Sequence, residues 1–153
     1  MLKSNWLLFV GVFLISLAAG IAIFQNKSSI NTSNFKELDW RDLGEFDYVT
    51  GAAPKKLKDQ DDKEVRIPGF MVPLEDNQKA VTEFLLVPSP QACIHVPPPP
   101  ANQMVFVQME EGRGSPAAYG PIWVYGVLSL HSKRHQYGES SFTMKGLKVD
   151  PYK

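Results

Sequence analysis

The chain has a single cysteine among 153 residues, so no internal disulfide can staple it. Net charge is missing as well: 16 basic residues balance 16 acidic ones, and no strong field recruits nucleic acid or an anionic surface. No amphipathic helix longer than a few turns can be read after the first quarter of the sequence, which excludes a helical bundle. Against these absences stand an apolar amino-terminal run, a series of short β-like segments, and one proline-locked stretch carrying the lone thiol.

From Trp6 to Phe24 the sequence WLLFVGVFLISLAAGIAIF holds no charge, with Lys3 before it and Lys27 after it. A run of that length reaches across a hydrocarbon core of roughly 30 Å at about 1.5 Å per residue. It exceeds the roughly 7–15 apolar residues of a cleaved secretory signal. Residues 1–25 therefore read as an uncleaved signal anchor that contacts the membrane through residues 6–24. Lys3 ahead of the span favours an inside amino terminus and an exported domain. The expectation is a single-pass inner-membrane protein with its soluble part on the periplasmic side. QNKSSINTSN (25–34) is polar and without periodicity, and residues 26–37 read as a flexible tether. The remainder, 38–153, is one ordinary domain by length.

Within it, Phe35 to Leu43 has the spacing of a short helical turn that docks Trp40 and Leu43. Five strand-like segments follow, at 65–74, 80–87, 103–109, 121–130 and 140–149, with glycine and proline at the bends. Pro68-Gly69 and Gly126 interrupt two of them, as tight coiling requires. The pattern predicts an all-β fold: a small five-stranded antiparallel barrel of the oligonucleotide/oligosaccharide-binding (OB) type, preceded by an N-terminal transmembrane helix. An open β-sandwich is the alternative.

The chemistry concentrates in Cys93-Ile94-His95-Val96-Pro97-Pro98-Pro99-Pro100. Thiolate and imidazole two residues apart can share one face of an extended segment, and both suit zinc or copper(I). Four prolines fix φ and remove four donors, so the frame around the pair is stiff. Cys93 and His95 are the candidate metal ligands. His131 and His135, at i,i+4 spacing, and the carboxylates Glu75 and Glu83 are further donors with nothing in the sequence to bring them there. The competing reading is ordinary: free cysteine is among the most buried residue types, and His95 can bond a backbone carbonyl. A second functional reading makes Cys93 a nucleophile or redox centre with a lowered pKa, although C-x-H lacks a resolving cysteine. A third makes Pro97, Pro98, Pro99 and Pro100, with Asn102, a polyproline docking surface for a partner. Trp123, Tyr125 and Phe106 alternate as strand residues do, so packing rather than base stacking is their default role, and no nucleic-acid partner is expected.

VRIPGFMVPLE (65–75), TEFLLVPSPQACIHVPPPPANQMVFV (82–107), IWVYGVL (122–128) and the closing KVDPYK together resemble an uncharacterised bacterial family, a domain of unknown function usually exported or membrane-anchored. The resemblance spans about Leu38 to Tyr152. It maps the family motif onto Pro73, Glu83, Phe84, Cys93, His95, Pro97 to Pro100 and Asn102. Asp59 to Lys63 departs from it, where relatives carry a glycine-containing turn. The resemblance implies an envelope protein, and some similar proteins are encoded beside ABC-transporter components linked to zinc supply. The expected role is a membrane-anchored binding or accessory protein for an envelope transport system, with zinc or copper as the candidate cofactor and transporter components as candidate partners.

Overall fold

The structure, a computed structural model, describes residues 30–90 and 98–152. The chain divides into two units, Met1–Ile30 and Asn31–Lys153, and the described residues fall almost wholly in the second. The expected anchor, including the run 6–24, lies outside the described residues. Among those described, no helix is long and apolar enough to cross a membrane.

In chain order the elements are β1 (Lys36–Glu37), α1 (Trp40–Gly44), α2 (Lys55–Lys58), β2 (Lys63–Pro73), β3 (Glu83–Val87), β4 (Val105–Met109), β5 (Ile122–Ser129), β6 (Lys133–His135), β7 (Gly138–Ser140) and β8 (Phe142–Pro151). Single 3₁₀ turns occupy Thr32–Asn34 and Ala101–Gln103. Strands β2, β3, β4, β8 and β5 pair in that order, and β5 returns to β2, closing a five-stranded barrel. Closure rests on the length of β2. Its first half, Lys63 to Gly69, pairs with β5, and its second half, Phe70 to Pro73, pairs with β3. The changeover falls at Pro68-Gly69. A Cβ on Gly69 would stand 2.7 Å from the Val87 carbonyl oxygen, so only glycine permits the bend.

The antiparallel barrel expected from the sequence needs one correction. Four seams are antiparallel, but β4 and β8 run parallel, Val105 opposite Phe142 through Met109 opposite Gly146. A hairpin forces its strands to be antiparallel, and β4 and β8 are joined by no hairpin. The chain crosses through β5 and a further excursion before β8 arrives, which frees its direction. Between Tyr125 and Gly126 the β5–β8 register slips, leaving Leu147 as the extra residue of a bulge.

Alternation along the strands fills the barrel. Val65, Ile67 and Met71 of β2, Phe84 and Leu86 of β3, Val105, Val107 and Met109 of β4, Ile122, Val124 and Leu128 of β5, and Phe142 and Met144 of β8 form one buried cluster. Fully burying each such side chain stabilises the fold by about 1.5–3 kcal/mol. Asp39 caps α1 by accepting from the Arg41 and Asp42 amides, and Leu43 on that helix is completely buried. Trp40 donates its indole N–H to the Pro68 carbonyl at 2.6 Å, fixing α1 to the bend in β2.

The tether read at 26–37 is shorter than expected. Phe35 is buried edge-on against Tyr125 at 5.5 Å, and Lys36 and Glu37 pair in parallel with Val65 and Arg66. The cause lies in β2, whose first half is paired with β5 on one edge and offers open backbone groups to β1 on the other. The segment between the last two barrel strands, for which the sequence pattern predicts no element, is also structured: β6 and β7 form a hairpin around Gln136 and Tyr137.

Candidate functional site

The thiol and imidazole picked out from the sequence, Cys93 and His95, lie outside the described residues, as does Pro97. Both feet of the connection that carries them are described. It leaves from Val87, buried at the end of β3, and returns at Pro98. Pro98 and Pro99 face an apolar patch on the outer wall of the barrel, bounded by Val72, Leu85, Val87, Met104 and Tyr137. This patch is a second small core. Leu85, Val87, Met104 and Phe106 are buried in it, because residues that point away from the barrel on β3 and β4 are apolar too.

Beyond the prolines the chain is clamped again. Asn102 donates its side-chain amide to the carbonyls of Gly44 at 3.1 Å and Phe46 at 2.9 Å. Gln103 donates to the Trp40 carbonyl at 3.2 Å. The two Asn102 bonds satisfy carbonyls at and beyond the end of α1 that the helix itself leaves open, and the Gln103 bond ties the same turn to the first residue of that helix. The structure thus gives Asn102, a candidate partner-binding residue in the sequence, an intramolecular task.

The β6–β7 hairpin roofs the patch from the other side through Tyr137, which is 43% exposed. Its turn is held by His135, whose Nδ1 accepts the Tyr137 amide at 3.3 Å, placing the proton of the neutral ring on Nε2. Nε2 is buried without a hydrogen-bond partner among the described residues, and burial pushes the imidazole below its ordinary pKa, partly offset by Glu139. A Q-Y-G turn between two short polar runs is the signal that marks this hairpin in the sequence, with Gly138 at φ +129°.

The additional metal donors considered from the sequence, His131, His135, Glu75 and Glu83, are not brought together as a set among the described residues. Among the described residues no group of three His, Cys, Asp or Glu side chains is placed to hold a cation. Glu75 accepts the backbone N–H groups of Thr82 and Glu83, and those bonds hold its carboxyl below the usual range. Glu83 accepts from the Gln108 side-chain amide at 3.1 Å. The aromatic residues divide by role. Phe106 belongs to the outer patch, Tyr125 is buried beneath Phe35, and Trp123 stacks on Tyr152 at 5.0 Å with the Arg66 guanidinium 4.7 Å from its ring.

One feature carried no signal in the sequence. A groove of about 890 Å³ crosses the outer face of β4, β8 and β5, with Phe106, Gln108, Thr143, Lys145, Val127 and Ser129 along it. Glu110, at the end of β4, is held below the usual carboxylate range by Lys145 at 2.9 Å and by Arg113.

A family profile described as a protein of unknown function (DUF3299) matches residues 30–151. The chain belongs to the DUF3299 family. Among solved structures, a DUF3299 family protein from Pseudomonas aeruginosa PAO1 is similar, with 32% identity and a TM-score of 0.64. The match covers 79% of this chain and 98% of that one, so the crystallised relative is almost entirely this domain. No curated protein matches the chain. The DUF3299 membership agrees with the family resemblance read from the strand segments and gives the mostly-β barrel a crystallographic counterpart.

Proposed function

We propose that this DUF3299 protein is a binding module of the OB type whose contact element is the β3–β4 connection, presenting Cys93 and His95 to a transition metal, zinc or copper. The strand order β2-β3-β4-β8-β5, closing on β2, supports an OB-type barrel. Such barrels bind on their outer walls and loops. Here the interior is filled by side chains from all five strands, which directs a ligand to the outside. The observation that carries the reading is the double clamp on the proline exit. Pro98 and Pro99 sit on the apolar outer patch, and Asn102 and Gln103 tie the next turn to α1. A metal-presenting loop needs its base fixed, because ordering a free loop on binding costs affinity.

In this reading the domain is exported and held at the inner membrane by residues 6–24, and it serves an envelope transport system as an accessory. An unpaired thiol in an oxidising compartment is a liability unless it is shielded or ligated, which favours ligation. Titration of the full chain with zinc and with copper(I), beside a Cys93→Ala/His95→Ala double variant, tests the metal assignment. Binding is expected in the wild type and lost in the double variant; indistinguishable titrations would remove it. Rapid, low-pH alkylation of Cys93 in metal-free protein would instead favour a thiol-dependent enzyme.

A further inference from the structure

The groove over β4, β8 and β5 adjoins the proline patch at Phe106 and runs away from it across β8 to β5, and its chemistry is dipolar. Strand register lays two rows of side chains across it. One row is Phe106, Thr143 and Ser129; the next is Gln108, Lys145 and Val127. Each row therefore mixes an apolar group with hydrogen-bonding ones. At the first row's end stands Lys133, from β6, with its ammonium 5.4 Å from the centre of the Phe106 ring. Among the described residues Lys133 has no carboxylate within ion-pairing distance. Past the second row stand Glu110 and Glu111. Glu110 is matched by Lys145 and Arg113, whereas Glu111 has no ion pair among the described residues.

The β4 side of the first row thus keeps a spare cation and the far end a spare anion, while Asp62, also without an ion pair among the described residues, lies two strands from Lys133, beside Ser129. The step from Phe106 to Glu110 is four residues of strand, about 13 Å at roughly 3.3 Å per residue. That is the length of about four residues of extended chain. A volume near 890 Å³ is also ample for such a ligand. The carboxylates of Asp62, Glu110 and Glu111 along the groove repel polyphosphates, which excludes a nucleic acid strand.

We propose that this groove binds an extended peptide segment of opposite terminal charges, its acidic end at Lys133 and its basic end at Glu111. Specificity comes from side chains, because the main-chain groups of β4, β8 and β5 are already paired with each other. The proposal is independent of the metal assignment at Cys93 and His95.

The test uses the full chain and a tetrapeptide, Lys-Val-Thr-Glu, with free termini. The control is the same peptide capped at both ends, with norleucine for lysine and glutamine for glutamate. Calorimetric titration is expected to show the charged peptide binding and weakening as salt rises. Lys133→Glu is expected to reduce affinity about fivefold or more while lowering the thermal midpoint by no more than a few degrees, since Lys133 makes no ion pair among the described residues and only a long cation–π contact with Phe106. Adding Glu111→Lys to that variant exchanges the poles, and a peptide free to bind in reverse recovers affinity. No binding at millimolar peptide, equal binding of the capped control, or an unaltered affinity in Lys133→Glu would each overturn the proposal.

Discussion

Replacing Asn102 separates a scaffold role from a surface role more sharply than any other single change. Its amide donates to the carbonyls of Gly44 and Phe46, at 3.1 and 2.9 Å. Asn102→Ala leaves both carbonyls without their partner. A hydrogen bond contributes about 0.5–1.5 kcal/mol net, and Asn102 is half-buried, so water replaces part of the loss. The expected destabilisation is about 1–2 kcal/mol. For a domain of this size that lowers the melting temperature by about 4–8 °C. Asn102→Asp is nearly isosteric yet turns a donor into a carboxylate facing two carbonyl oxygens. It is expected to cost about 2–3 kcal/mol at neutral pH, roughly 8–12 °C. The sign with pH follows. In the folded state the introduced carboxyl has a raised pKa, because its protonated form restores a donor and its charged form meets carbonyls. Stability is therefore recovered at low pH and lost as pH rises through the folded-state pKa. Thermal melts of the full chain across pH 4–8 measure this, beside the wild type (an approximate window set by carboxyl pKa values). An aspartate variant that melts with the wild type at neutral pH would refute the clamp.

Gly69→Ala is expected to destabilise by about 2–3 kcal/mol, because the new methyl meets the Val87 carbonyl and the Leu86 side chain rather than open space; urea denaturation reads it. Glu75→Gln keeps an acceptor for the Thr82 and Glu83 amides but cannot titrate. The wild-type carboxyl is depressed, so its stability contribution is present above its unfolded pKa and lost as pH falls through the folded one. The wild type should lead the variant at neutral pH, and the gap should close on acidification in parallel denaturation curves.

Much of the barrel was legible because its strands alternate. The segments expected at 65–74, 121–130 and 140–149 lie on β2, β5 and β8 to within a few residues, since one buried face imposes a period of two. The glycines at 69 and 126 marked bends for the same steric reason that holds in the structure. Neighbour relations were not legible. Alternation says which face a residue takes but not which strand it meets, so the parallel β4–β8 seam left no trace. The polar stretch before Leu38 looked like tether because β1 is two charged residues whose only structural asset is the open edge of β2. Asn102 read as a surface group because its partners lie 56 and 58 positions away. The candidate ligands Cys93 and His95 were marked by residue type, spacing and the four prolines that follow, and the patch that receives Pro98 and Pro99 emerges only when β3, β4 and the β6–β7 hairpin come together.

That parallel seam also decides what a truncated chain would lack. β8 joins β4 on one side and β5 on the other, so both remain open edges until the last barrel strand has been made. A chain stopped before Phe142 would hold two unpaired borders and an unsealed oily interior, a sticky half-cylinder prone to self-association. Lesions in β8, which break both seams at once, are therefore expected to show up as lost yield before they show up as lost affinity.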